Sequence, residues 1–122
     1  MTKEKLKWII KRLPYILKML QEGVEQISVY ISKRKEKIAI DEDVKTVIEI
    51  MDEIIDHEQI EWRKKFFMQI RKGHKDIAII FDCPMERTKY YLAKKEFIDK
   101  IYQCCIYRGL VDYEDILNAQ AE

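Results

Sequence analysis

Glycine and proline are scarce in this chain, three and two among 122 residues. Their scarcity leaves no material for a turn-rich sandwich, a phosphate-cradling glycine loop or a flexible linker, so a β-barrel and a dinucleotide-binding sheet domain are excluded. No apolar run approaches the roughly 20 residues a bilayer requires, and the basic start lacks the apolar stretch and small-residue cleavage site of a signal peptide. A protein without membrane contact, resident in the cytoplasm, is expected. No C-x-x-C pair accompanies the three cysteines Cys83, Cys104 and Cys105, so neither a zinc site nor a disulfide framework is expected, and the thiols read as small interior side chains. Serine-elbow, H-E-x-x-H and Walker patterns are missing around His57 and His74, which argues against an enzyme. Adjacent acids such as Asp52-Glu53 and Asp112 with Glu114-Asp115 read as solvated helix ends. No metal or other cofactor is implied.

What the chain does contain is charge in blocks. Residues 1–40 carry 10 basic and 4 acidic side chains, residues 41–58 carry 1 and 8, residues 59–109 carry 12 and 6, and residues 110–122 carry none and 4. Together these give the net +1, but the basic segments stand apart from the acidic ones, a modest footprint for a polyanion.

Long Lys, Glu, Ile and Leu runs favour helix throughout. Leu6, Ile10, Leu13, Leu17, Leu20, Val24, Ile27 and Ile31 alternate in steps of four and three, the a/d seam of a heptad. With β-branched residues at several a positions, this spacing predicts one long helix from an N-cap at Thr2 to about Ser32 and a parallel homodimer along the seam. Pro14 and Gly23 interrupt it, and a pairing within the chain against Val44, Val47, Met51 and Ile54 is the other reading. The charged stretch 33–37 is expected to be a connector.

A second helix is expected from Asp41-Glu42-Asp43 to about Ile55, on a face of Val44, Val47, Ile48, Met51 and Ile54. Asp56 with Gln59 then resembles a capping box for a third helix, buried through Ile60, Phe66, Phe67 and Ile70 and ended by Gly73. From Gly73 the pattern predicts a short helix 76–81 buried through Ile77, Ala78 and Ile80, a break at Cys83-Pro84, and a long cationic helix from about Met85. Placing Thr88, Leu92, Ile98 and Ile101 inward turns Glu86, Arg87, Lys89, Tyr90, Ala93 and Lys94 outward. Such a face suits a DNA major groove: Arg87 for a guanine, Tyr90 for a phosphate or thymine methyl, and Lys89, Lys94 and Lys95 for the backbone, with Lys75 beside the short helix.

The stretch from Ile54 to Ile101, with Gly73, Asp76-Ile77-Ala78 and Glu86-Arg87-Thr88-Lys89-Tyr90-Tyr91 opening a Lys-rich helix, resembles region four of bacterial sigma factors. It is closer still to the small phage regulators of the ArpU and RinA type, matching them at Gly73, Ile77, Ala78, Glu86, Arg87, Tyr90, Lys94 and Lys95. It departs from them at Met85, where a capping Ser or Thr is usual. The resemblance implies a DNA-binding activator of phage late or packaging genes that acts on promoter or operator DNA and contacts host RNA polymerase.

The expected fold is therefore all-α: a long N-terminal helical hairpin and dimerisation region over 1–55, a C-terminal helix-turn-helix over 56–109, and an acidic tail over 110–122 that moderates DNA binding. A helical module that binds RNA polymerase or another regulator without touching DNA is the competing expectation.

Overall fold

The computed structural model describes residues 2–82 and 86–111. The Cys83-Pro84 break, Met85 and nearly all of the acidic tail lie outside the described residues. Helix α1 (Lys3–Lys11) begins at Thr2, whose hydroxyl accepts from the Lys5 amide at 3.2 Å, and α2 (Leu13–Gln21) follows after a single residue. The break falls at Arg12 because Pro14 has no N–H to continue the ladder, and proline is tolerated in the first turn of the helix it opens. Gly23, at φ +80°, closes α2 while the Val24 amide bonds the Met19 carbonyl at 3.1 Å, the geometry of a Schellman cap.

The chain then turns into an antiparallel hairpin of β1 (Gln26–Ile31) and β2 (Arg34–Ala39), pairing Gln26 with Ala39 and Ile31 with Arg34. This corrects the expectation of one helix running to Ser32. Val29 and the β-branched residues on either side of it alternate with Gln26, Ser28 and Tyr30, and one face packs on the core while the other meets solvent. Ser32 and Lys33 form the two-residue turn at φ 51° and 67°, the positive-φ pair that matches strand twist. Among the described residues the fold is thus mostly helical with one small sheet.

A π-helical turn (Ile40–Val44) leads into α3 (Lys45–His57). Asp56 lies inside α3 and caps nothing; the Ile60 amide instead donates to Glu58 Oε1 at 3.2 Å just before α4 (Glu61–Arg71). Gly73, at φ +82°, ends α4 as expected, and α5 (Asp76–Asp82) and α6 (Arg87–Tyr107) complete the described chain.

One hydrophobic core joins these elements, running from Leu6 to Val111 and so including residues from both halves of the expected domain division. Phe67 stacks on Phe97 with ring centroids 4.2 Å apart, and Phe66 meets Tyr90 edge to face at 5.2 Å. The proposed dimer seam is spent inside this core. Leu6, Ile10 and Leu13 are buried, and Leu20, Val24, Ile27 and Ile31 pack half-buried against it, while Leu17 is also half-buried. A seam broken at Arg12 and ending on a strand presents no continuous a/d stripe to a second copy, so the coiled-coil reading is corrected.

Helix faces are corrected as well. The inward stripe of α6 is Tyr90, Ala93, Phe97, Ile101 and Cys105, with Ile98 buried beside it, whereas Thr88 and Leu92 are exposed. On α5 the buried residue is Ile79; Ile77 and Phe81 are exposed, as is Ala78, and Ile80 is half-buried. Ile60 is likewise exposed rather than inward.

Candidate nucleic-acid interface

A cleft of about 1010 Å³ opens where α1, the start of α2, the α4–α5 turn and the middle of α6 converge. Its floor is a close approach. A Cβ on Gly73 would lie 2.3 Å from Pro14 Cγ, so the positive φ and the missing side chain together let the turn seat against the proline ring. Lys3, Lys7 and Lys11 recur every four residues along α1, which places them on one side of that helix, and all three line the cleft. Lys75, Lys94, Lys95 and His74 line it from the other elements, among the apolar surfaces of Ile10, Ile70 and Ile98.

One carboxylate organises the α5–α6 wall. Asp76 Oδ1 accepts from the Tyr90 hydroxyl at 2.5 Å, and both its oxygens accept from Lys94 Nζ at 2.9 Å. Burial alone would push the Asp76 carboxyl up, but the bonds from Tyr90 and Lys94, the Lys94 charge and that of Lys11 together outweigh it and hold the group below its ordinary value of 3.8. Burial, reinforced by the bond to Asp76, raises the Tyr90 phenol well above its usual range, so it stays a donor. Elsewhere on α6, burial lifts the Cys105 thiol to about 11, leaving it an inert interior group.

The remaining cations divide into committed and open. Lys3 pairs with Asp99 at 2.7 Å, Lys94 is held by Asp76, and the Arg12 guanidinium lies over the Trp8 ring at 4.5 Å. Across the molecule part of the acidic block is paired in place: Arg108 bridges Glu49 and Glu53 of α3 at 3.2 and 2.8 Å, and Arg71 meets Asp52 at 3.1 Å. Arg63 and Lys100 approach Glu58 at 3.6 and 3.9 Å, and Arg63 also meets Glu96 at 2.7 Å. Lys7, Lys11, Lys75 and Lys95 are exposed and have no ion-pair partner among the described residues, so they leave the cleft with uncompensated positive charge.

The expected DNA-contacting residues separate accordingly. Lys75 and Lys95 come together in the cleft, and Glu86 and Arg87 are exposed at the start of α6, Glu86 as its N-cap. Tyr90 is a correction: it is 1% exposed, because its ring fits Phe66 and its hydroxyl finds Asp76, and it cannot reach a groove. Lys94 is turned toward the same carboxylate, and Lys89 lies over the Trp62 ring at 4.5 Å on the α4 side of the helix. Sequence reasoning missed Lys7, Lys11, Tyr15 and Tyr91. The four-residue lysine spacing and the basic balance of residues 1–40 were signals for the first two.

Among the described residues no cluster of His, Cys, Asp or Glu has the arrangement of a metal site, and no helix is long and apolar enough to cross a membrane. Comparison with protein-family models, with curated proteins and with solved structures finds no match to this chain.

Proposed function

We propose that this protein binds double-stranded DNA as a regulator of transcription, in the manner of the phage late-gene activators whose sequence pattern it resembles. The observation that carries the reading is the group of four lysines, Lys7, Lys11, Lys75 and Lys95, that form no ion pair among the described residues around one cleft, while Glu49, Asp52 and Glu53 of α3 are paired elsewhere. Helical periodicity sets Arg87 on the same side of α6 as Tyr91 and Lys94, so an exposed guanidinium stands at the helix start beside this cationic surface. Arginine there is suited to base-edge contact, and the lysines to the phosphates that fix position. Tyr90 and Lys94 drop out of the contact set; they brace the helix.

The test is fluorescence anisotropy against a duplex selected from random-sequence DNA. Lys7→Gln with Lys11→Gln is expected to weaken selected and unrelated duplexes alike. Arg87→Ala is expected to narrow the gap between them by about 1–3 kcal/mol. Absence of any duplex binding at low salt by the folded protein overturns the reading.

A second reading has its own observation. Ile77 and Phe81, one turn apart on α5, are 78% and 86% exposed, an apolar surface that suits a contact with RNA polymerase or another regulator. Because Ile77 also lines the cleft, Phe81 separates the two readings: Phe81→Ser abolishing polymerase capture, with duplex affinity unchanged, would argue for protein contact beside DNA contact. Capture by a protein that shifts no duplex would favour an interaction module alone.

A further inference from the structure

We propose that the cleft takes an unpaired DNA strand, its bases lying on Tyr15 and Tyr91 and its phosphates on Lys7, Lys11, Lys75 and Lys95. The proposal rests on the reading that these lysines face nucleic-acid phosphates, and it adds the kind of strand they receive.

The carrying observation is that the cationic cleft also holds two exposed aromatic rings. Tyr15 is 63% and Tyr91 48% exposed, and both line the cleft from different elements, α2 and α6. A duplex has no use for them there. Its bases are stacked on one another and present only edges in the grooves, and its convex surface rests on the rim of a concave site, whereas an unpaired strand enters and offers the faces of its bases. Alternation of aromatic platforms with cations that follow the backbone is the arrangement by which single strands are held with little sequence preference.

The Tyr91 ring and the backbone that carries Tyr15 are set before any strand arrives. Tyr91 packs edge to face on Tyr90 with centroids 5.2 Å apart and planes at 66°, and Tyr90 is buried and anchored by its bond to Asp76. Tyr15 follows Pro14, whose fixed φ and close seat against Gly73 settle the backbone from which the ring projects. Preorganised aromatic surface costs less entropy on binding than mobile side chains. Asp76 therefore acts as a positioning residue for the α6 platform.

The experiment uses the full chain and anisotropy with three fluorescent probes: an oligothymidylate of about 15 nucleotides, the matching oligouridylate, and a duplex of about 20 base pairs. Oligothymidylate binding is expected to fall about tenfold or more in Tyr15→Ala with Tyr91→Ala, with the salt slope and duplex affinity unchanged, and to persist in Tyr15→Phe with Tyr91→Phe. Lys7→Gln with Lys11→Gln should instead lower the single-strand salt slope by about 1.4. If the double alanine variant fails to fold, Tyr15→Ala alone, altered at a mostly solvated ring, reads the same effect.

Duplex binding without oligothymidylate binding, or oligothymidylate binding indifferent to both alanines, overturns the inference and leaves the duplex reading standing. Tyrosine-dependent oligothymidylate binding without duplex binding does the reverse. Tighter binding of oligouridylate overturns the assignment to DNA, and binding of no probe overturns both proposals.

Discussion

Two residues carry more of the site than their size suggests. Gly73 ends α4 in a left-handed conformation and also makes room for Pro14, so Gly73→Ala meets a backbone penalty and a clash with a ring that cannot rotate away. A loss of about 3 kcal/mol in urea unfolding is expected, with the midpoint lowered and the slope unchanged. Asp76 gives a pH signature. Its carboxyl sits below its ordinary value in the folded protein, so its contribution to stability is fully present above about pH 4 and is lost as the pH falls through the lowered folded value. Asp76→Asn should flatten that part of the stability profile, measured by urea unfolding from about pH 5 to pH 2. The same substitution releases Lys94 into the cleft, so it is expected to raise affinity for unrelated duplex DNA while lowering stability. Gly73 was legible as a helix stop because arginine and lysine precede it. Its contact with Pro14, 59 positions away, was not, since no local rule joins residues so distant.

Among the elements, the first 40 residues show how one spacing serves two structures. Ile27 and Ile31 stand four apart, which fits a heptad, but with Val29 between them they also alternate with polar residues, which fits a strand. Gly23 closing α2 and the Ser32-Lys33 turn decide for the strand, and β2 supplies the pairing that a lone β1 lacks. The consequence for the seam is measurable. Leu13→Ala removes a fully buried side chain and is expected to cost about 2–5 kcal/mol. Its melting temperature should shift by the same amount across a wide range of protein concentration, whereas a dimer seam would make the shift concentration-dependent. Helix α6 was misoriented for a related reason. Apolar side chains such as Tyr91, Leu92 and Tyr107 lie outside the buried stripe, so the sequence shows little contrast between one side of the helix and the other.

At the scale of the whole molecule, a nearly neutral chain carries a polarised surface. Arg71 of α4 and Arg108 beyond α6 pair with Asp52, Glu49 and Glu53 of α3, while Lys7, Lys11, Lys75 and Lys95 of the cleft have no ion pair among the described residues. Four open lysines on a duplex backbone imply that the logarithm of affinity falls with the logarithm of salt concentration at a slope of about −3 to −4, measurable by anisotropy from low to physiological salt. Lys95→Gln should reduce that slope by about 0.9, while Lys3→Gln, which removes a lysine already paired with Asp99, should change it less.

Read alone, the residues determined what depends on near neighbours: a mostly helical chain, the Thr2 cap, the stop at Gly73, the approximate spans of α3, α4 and α5, and the block arrangement of charge. Tertiary structure decided what depends on distant ones: that Leu6, Ile10 and Leu13 face a core within the chain, that Tyr90 turns inward to Asp76, and that Lys7 and Lys11 meet Lys75 and Lys95 around one cleft. Capping and helix-ending act within a turn or two of chain and leave their mark in order and spacing. Burial and ion pairing are instead settled by competition among all the surfaces and charges that folding brings together, and that competition chose which lysines were left without an acid.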